Sequence, residues 1–302
     1  MSPQPLRVCL VDMNNGVANQ ATRCFRRLTD AFAKRVREKN PDLDIVFRHV
    51  QPRNLGELPG DDADIVLSSG GPGSPHDGFH EDSWCLDYRK YLDGVVEKNL
   101  RTNGNGPKAF LVCHSFEIAV LHFKVAEMRK RPTTKFGVMP AYITDSGQKS
   151  GYYSPFGYRL FTWEHRNWEA VNPDTRRITD LGGEILSTES HRKAVVNRGD
   201  AILGLTFGHG IDGVQFHPEA DKAGVLAWIE DPEHAATVES AYGATLYEKM
   251  VKSLANPNRL ARTFALMIPS WLTLRFNEIA RERGLRPLDS PEQAMQDFDV
   301  AV

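Results

Sequence analysis

Short apolar runs alternate with longer amphipathic segments over the first 130 or so residues of the chain. A strand that feeds an amphipathic helix and then another apolar strand is typical of a parallel sheet covered by helices. We expect strands over residues 8–13, 45–50, 64–69 and 108–112, and helices over residues 19–39, 83–99 and 115–128. The fold class predicted from this rhythm is α/β, with a mainly parallel open sheet flanked by helices.

The middle and the end of the chain follow different patterns. Shorter strands separated by polar turns are predicted over residues 136–141, 158–163, 194–196, 201–207 and 213–216, and we expect this antiparallel part to lie against the main sheet. Helices are predicted over residues 239–254 and 259–283, with breaks at Asn256-Pro257 and at Pro269. We therefore divide the chain into a domain of residues 1–230 and a helical C-terminal extension of residues 231–302.

Composition and charge indicate which partners the protein binds and in which compartment it works. With 37 Lys and Arg against 39 Asp and Glu, the chain has no basic excess to neutralise a phosphate backbone, so nucleic acid is not expected as a partner. Residues 1–7 contain no apolar signal core, and the apolar segment 263–274 is shorter than the roughly 20 residues that span a bilayer. The four cysteines form no C-x-x-C pair. We expect a cytoplasmic protein that binds no membrane.

Cys113 lies between the predicted strand 108–112 and the helix that follows it. A nucleophile on such an elbow projects above the sheet edge, where the helix N-terminus favours a thiolate. The backbone N–H of the next residue can point toward a developing oxyanion. The alternative is a buried structural thiol, which is what most lone cysteines are.

The segment Phe216-His217-Pro218-Glu219 supplies the partners that a thiol nucleophile needs. In an extended segment His217 and Glu219 leave the same face, and a carboxylate beside an imidazole fixes its tautomer and supports its charged form. Together with Cys113 they form a relay of nucleophile, base and orienting carboxylate. His209, His217 and Glu219 have the chemistry of metal ligands, but their spacing matches no zinc motif, so no metal is expected.

A glycine-rich turn, Ser69-Gly70-Gly71-Pro72-Gly73-Ser74, ends the predicted strand 64–69. Gly and Pro punctuate many loops, and no Gly-Lys-Ser/Thr follows, so the turn is not a P-loop. The predicted topology puts it on the same sheet edge as Cys113. Its bare amides can then approach a substrate closely and complete an oxyanion hole.

These three features, in this order, resemble the class I (triad-type) glutamine amidotransferases, whose core is flavodoxin-like, over about residues 6–230. The string Gly213-Val214-Gln215-Phe216-His217-Pro218-Glu219 matches the family's closing motif without change. Residues 135–138 and 189–195 resemble two weaker family segments, the second being the Ser-His substrate loop. The whole is most similar to stand-alone GMP synthase-like amidotransferases.

The resemblance implies a role for each motif. Cys113 would attack the side-chain amide of glutamine, the N–H groups of Gly71 and His114 would hold the oxyanion, and His217, oriented by Glu219, would protonate the leaving ammonia. The implied substrate-binding residues are Gly70, Gly73, Glu117, Ser190, His191, Arg192 and Lys193. No cofactor is implied.

Three departures from the family pattern concern specificity. Leu111 and Ser115 stand where the elbow normally has glycines, and Glu117 stands where it has a glutamine. A carboxylate at that position repels a substrate carboxylate and accepts from an ammonium or amide, so we expect Glu117 to alter substrate choice or to weaken glutamine binding. Arg192 and Lys193 replace small or apolar residues of the Ser-His loop, where they meet either a carboxylate or solvent.

Three functions therefore remain open. The first is a glutaminase subunit that supplies ammonia to a separate acceptor synthetase. The second is a stand-alone Cys hydrolase or transferase for another γ-glutamyl or acyl substrate. The third is a non-catalytic binding protein of the same fold. The extension 231–302 has no Gly-rich phosphate loop, and its amphipathic helices either complete the core, cap the site or form a homodimer face.

Overall fold

A computed structural model describes residues 3–17, 19–80, 83–190, 200–231, 243, 245, 248 and 252–290. Its strands form one nine-stranded sheet in the order β2-β1-β3-β4-β9-β8-β6-β5-β7. The strands are β1 (Leu6–Val11), β2 (Ile45–Val50), β3 (Ile65–Ser68), β4 (Lys108–Val112), β5 (Glu127–Ile143), β6 (Arg159–Val171), β7 (Glu184–Thr188), β8 (Ile202–Gly208) and β9 (Ile211–Val214).

Helices cover both faces of this sheet, in two hydrophobic clusters that share its strands. The described helices are α1 (Ala21–Lys39), α2 (Pro52–Leu55), α3 (Trp84–Arg101), α4 (His114–Phe123), α5 (Asp145–Lys149), α6 (Thr175–Asp180), α7 (Lys222–Glu230) and α8 (Leu260–Arg283), with a 3-10 turn at Ser154–Phe156. The predicted α/β class is confirmed. Within the described residues, no helix combines the length and the apolar character needed to cross a membrane.

The first half of the sheet is parallel. Strands β2, β1, β3, β4 and β9 pair in parallel, and every residue of β3, β4 and β9 is buried. Strands buried on both faces are expected to be continuous apolar runs, which is how β3 and β4 read in the sequence. Because the carboxyl ends of parallel strands meet at one edge, the segments that follow β1, β2, β3, β4 and β9 converge there.

The second half is antiparallel and closes on itself. Strand β8 pairs with β9, β6 and β7, while β5 pairs with β6 and β7, so β8, β6, β5 and β7 form a ring. The expectation of a mainly parallel open sheet therefore holds only for the first half. The antiparallel strands continue the main sheet rather than lying against it. Strand β7 was not predicted, because its five residues lack a clear alternation.

Helix α4 is shorter than predicted. It ends at Phe123, where Lys124 adopts a left-handed conformation (φ 56°) that stops the helix. Strand β5 begins at Glu127, so the basic run Arg129-Lys130-Arg131, which directly follows the predicted helix 115–128, lies within the sheet. Arg129 and Arg131 both contact Glu169 of the neighbouring β6, and these cross-strand ion pairs favour the strand over the helix.

Helix α8 runs unbroken through Pro269, where a break was predicted. A proline inside a helix costs roughly 3 kcal/mol, and burial of the helix on both sides of it offsets that cost. Buried residues of α8 share one core with α1, β1 and β3, and Trp271 and Arg275 hydrogen-bond the buried Asp212 of β9 at 2.7 and 2.6 Å. The predicted strand 194–196 and most of the predicted helix 239–254 lie outside the described residues. The division at residue 230 stays a prediction.

Candidate active site

The elbow after β4 holds Cys113 in an unusual backbone conformation. Its φ of 50° and ψ of −105° lie outside the regions that L-residues normally occupy, which costs on the order of 1–3 kcal/mol. The Cys113 N–H donates to the Val214 carbonyl at 2.8 Å, and the Cys113 carbonyl accepts from the Glu117 N–H at 2.9 Å. These two bonds hold the strained turn and fix the thiol at the N-terminus of α4, as predicted for a nucleophile elbow.

His217 and Glu219 follow β9 at the same sheet edge. The His217 N–H donates to the Trp163 carbonyl at 3.0 Å, which joins this segment to β6. The His217 ring shares a hydrogen bond with the buried Glu219 through Nδ1 and Oε1, 2.9 Å apart. The Cys113 thiol lies near this ring, and each group shifts the pKa of the other. The structure therefore brings the three predicted residues together at one edge of the sheet.

The environment of the pair shifts both pKa values. Burial raises the pKa of the Cys113 thiol, an effect that the neighbouring His217 opposes. Burial by itself lowers the pKa of His217, but Glu219 and Cys113 favour the charged ring, so that pKa lies well above its ordinary value. Once Cys113 ionises, each charge stabilises the other. His217 therefore offsets part of the effect of burial on the thiol, and its charged ring has a proton to give.

The glycine-rich turn after β3 lies directly against this pair. A Cβ on Gly70 would lie 2.8 Å from Cε1 of His217 and 3.1 Å from Cβ of Cys113, so only glycine fits at this approach. Gly73 (φ 102°) lies in the exposed part of the turn, next to Asp77. The predicted adjacency of the turn and the nucleophile is thus observed.

Hydrogen bonds of buried hydroxyl groups join the glycine-rich turn to the elbow. Ser115 donates from Oγ to the Ser69 carbonyl at 2.6 Å and lies 2.7 Å from Oγ of Ser68. Tyr88 of α3 donates to Ser68 Oγ at 2.9 Å, and all of these groups are buried. Ser115 stands where the family pattern has a glycine, and its hydroxyl makes a bond that glycine cannot. The sequence pattern marks Ser115 as a departure from the family but does not indicate this contact.

Glu117 is buried below the elbow. Its Oε1 accepts from Nε2 of Gln215 at 2.8 Å, and its Oε2 lies 3.6 Å from Nδ1 of His114. The His114 ring is 1% exposed and packs against the ring of Trp84, with 6.3 Å between centroids. The carboxylate of Glu117 is therefore occupied by neighbours within the protein, and its role in substrate binding stays a prediction.

A cluster of charged side chains supports the start of the Ser-His segment. Oxygens of Glu189 accept from Lys135 at 2.6 Å, Arg166 at 2.8 Å and Arg131 at 3.1 Å, and these cations lower the pKa of Glu189 to about 2 despite its burial. Arg166 is itself buried and donates from Nε to the buried Glu164 at 2.7 Å. Because Glu164 follows Trp163, which holds the His217 backbone, this cluster connects the two predicted parts of the site.

Of the predicted substrate loop, only its two ends are described. Ser190 donates from Oγ to Asp200 at 2.7 Å, and the Glu189 N–H donates to the Ala201 carbonyl at 2.9 Å. These bonds close the base of the segment. His191, Arg192 and Lys193 lie outside the described residues, so their predicted roles stay predictions.

A cavity of about 1430 Å³ lies along β7 and reaches Ser190. Aromatic side chains of β5, β6 and the intervening segment line part of it, among them Tyr142, Phe156, Tyr158 and Phe161. The described residues of its wall do not include Cys113, His217 or Glu219. In the described part of the chain, no three His, Cys, Asp or Glu side chains are grouped so that they could hold a metal ion.

Comparison with known proteins identifies the fold. The crystal structure of SMU.1228c is similar over 90% of this chain and all of that one (TM-score 0.58, 16% identity). A glutamine amidotransferase from Thermotoga maritima is similar over 86% of this chain and 96% of that one (TM-score 0.53, 14% identity). No protein-family model and no curated protein matches the sequence. The chain therefore has the fold of the class I glutamine amidotransferases, as the sequence motifs predicted.

Proposed function

We propose that this protein hydrolyses the side-chain amide of glutamine through a thioester on Cys113. The observation that carries the proposal is that Cys113 lies beside the hydrogen-bonded His217–Glu219 pair at the sheet edge of a glutamine amidotransferase fold. The strained elbow and the close approach of Gly70 support it, since both serve to bring a thiol, an imidazole and a bare turn together.

The reaction proceeds in two halves. The Cys113 thiolate attacks the amide carbon, and the oxyanion is held by the N–H groups of Gly71 and His114. The intermediate collapses as His217 gives its proton to the leaving ammonia, which leaves a γ-glutamyl thioester. His217 then takes a proton from water, whose oxygen attacks the thioester carbon. Glutamate leaves, and Cys113 regains its thiolate state next to the charged ring.

The destination of the ammonia forms a second part of the proposal. A free amidotransferase subunit supplies ammonia to a separate acceptor enzyme, and we propose this role for the chain. Residues 190–193 and Glu117 are proposed to bind the substrate, together with Gly70 and Gly73 of the turn. The ion cluster around Glu189 supports that assignment, because it fixes the start of the segment next to the strand that holds His217.

The first experiment measures ammonia release from L-glutamine by the wild-type chain and by Cys113→Ala. We expect release by the wild type and a loss of at least about a thousandfold in the variant, because the covalent route needs the sulfur. Cys85→Ala is the matched control, since that cysteine is also buried but lies on α3. Equal rates for wild type and Cys113→Ala would contradict the proposal.

One observation favours a second candidate, a Cys hydrolase for another γ-glutamyl substrate. The carboxylate of Glu117 already accepts from Gln215, so it offers less to a free glutamine than the usual amide at that position. The same assay run with γ-glutamyl amides and peptides separates the candidates. Cys113-dependent turnover of these compounds, without turnover of glutamine, would favour the second.

A further inference from the structure

Arg53 lies beside the glycine-rich turn, although nothing in its sequence context indicates a role. It belongs to α2, the short helix after β2, at the sheet edge that carries Cys113. Its Nη1 donates to the Pro72 carbonyl at 2.6 Å and to the Met13 carbonyl at 3.1 Å. One guanidinium nitrogen thus joins the segment after β1 to the turn after β3.

These two contacts enclose the backbone of Gly71. A Cβ on Gly71 would lie 2.1 Å from the Met13 carbonyl oxygen and 3.1 Å from Nη1 of Arg53. The turn is therefore packed against both groups with no room for a side chain. The Pro72 carbonyl belongs to the peptide unit between Pro72 and Gly73, so its bond to Arg53 restrains the turn directly after Gly71.

The guanidinium of Arg53 also contacts an aromatic side chain near the elbow. The Arg53 Cζ lies 5.1 Å from the ring of Trp84, within the range of a cation–π contact. Trp84 is also a neighbour of the buried ring of His114, with 6.3 Å between the ring centroids. Trp84 therefore lies next to both Arg53, which holds the glycine-rich turn, and His114, the residue after Cys113.

We propose that Arg53 is a positioning residue for the oxyanion hole. It fixes the turn that carries the Gly71 N–H and, through Trp84, braces the residue that carries the His114 N–H. The inference rests on the proposed function, because it assigns these two N–H groups to the oxyanion. Arg53 itself does not contact the reacting atoms.

Replacement of Arg53 is expected to change turnover more than binding. Loss of one oxyanion donor typically costs 10²–10³ in kcat, and misplacement of a donor costs less, so we expect Arg53→Met to lower kcat about 10- to 100-fold. KM for glutamine should change by less than about threefold, since ground-state binding does not use the hole. Arg53→Lys keeps a donor near the carbonyls and should recover part of kcat.

Two further measurements separate positioning from a general loss of structure. Alkylation of Cys113 by iodoacetamide forms no oxyanion, so its rate should be equal in wild type and Arg53→Met. Amide hydrogen exchange over residues 69–74 should be faster in Arg53→Met than in wild type. Arg48→Met is the control, because Arg48 of β2 pairs with Asp62, which lies outside the turn.

The outcomes decide the two proposals separately. An unchanged kcat in Arg53→Met, with an active wild type, would overturn the role of Arg53 and leave the proposed function intact. Equal losses of iodoacetamide reactivity and kcat would also overturn it, because the thiol itself would then be disturbed. If wild type does not release ammonia from glutamine, the proposed function is wrong, and the exchange measurement alone decides whether Arg53 holds the turn.

Discussion

The two halves of the sheet build the candidate site in different ways. In the parallel half, β3 and β4 are buried at every position, and chemistry begins only where the strands end, at Gly70 and Cys113. In the antiparallel ring, charged side chains lie within the strands themselves, as in the pair formed by Arg166 of β6 and Glu189 next to β7. Apolar burial dominates the first half, where Asp212 of β9 is a buried charged exception, and selected charge partners characterise the second.

This difference matters because the two kinds of interaction respond differently to change. Apolar burial is non-directional, so the parallel half fixes where the strand ends lie and leaves the residues after the strands free to make other contacts. Buried ion pairs add little net stability but are costly to break on one side. The ring therefore depends on matched partners for its register, and the site depends on the ring for the backbone of His217 and for the Glu189 segment.

The largest effect is expected where both halves meet, at the Glu219 carboxylate. Glu219→Gln removes the charge that keeps the pKa of His217 high, so the ring loses its proton at lower pH and no longer supports the Cys113 thiolate. We expect kcat to fall about 10³- to 10⁴-fold, as when a triad carboxylate is neutralised. The measurement is the pH profile of ammonia release, with the exposed Glu97→Gln on α3 as control. A loss below about tenfold would contradict the role of Glu219.

Breaking the ion cluster tests whether the ring depends on charge. Arg166→Met leaves the buried Glu164 and the part-buried Glu189 without this partner, and we expect a loss of about 3–5 kcal/mol in the free energy of unfolding. We also expect a higher KM for glutamine, because Arg166 holds Glu189 at the start of the proposed substrate segment. Urea denaturation and steady-state kinetics measure the two effects. The matched variant is Arg275→Met, which breaks a buried pair with Asp212 under α8 and should lower stability without raising KM. Equal KM values in Arg166→Met and Arg275→Met would show that the site depends no more on the ion cluster of the ring than on the Arg275–Asp212 pair.

The smallest effect concerns the charge below the elbow. Burial is the main cause of the raised pKa of Cys113, and the carboxylate of Glu117 raises it further. Glu117→Gln removes that charge, so the pKa should fall and more thiolate should form at any pH below it. We expect iodoacetamide to alkylate Cys113 a few times faster at about pH 7 to 8, with the whole profile moved to lower pH. An unchanged pH profile of alkylation would contradict the effect of Glu117 on the pKa of Cys113 and would indicate that the hydrogen bond from Gln215 already offsets it.

Local sequence information predicted the parallel half closely. The bounds of β2 and β4 agree with those expected, and the elbow, the glycine-rich turn and the His217–Glu219 pair meet as the topology required. The reason is that a buried strand must be a short apolar run and that parallel strands end on one edge. Once those two conditions hold, the order of the motifs along the chain places them together.

The ring and α8 could not be predicted in the same way. Arg129 and Arg131 look like residues of a solvated helix end, and only the carboxylate of Glu169 on the neighbouring strand makes them part of β5. Pro269 indicates a helix break, and burial on both sides keeps α8 continuous. The bond from Arg53 to Pro72 joins residues that no motif connects.

The sequence by itself thus determined the class of fold and the grouping of Cys113, His217 and Glu219 at one sheet edge, because each rests on a short-range pattern of apolar and chemically reactive residues. The tertiary structure alone decided which charges pair, where the antiparallel strands close and which side chain holds the glycine-rich turn. Those features depend on partners that lie about a hundred residues or more apart, such as Glu117 and Gln215. A residue's partner across such a distance is set by how the whole chain packs, not by its neighbours in sequence.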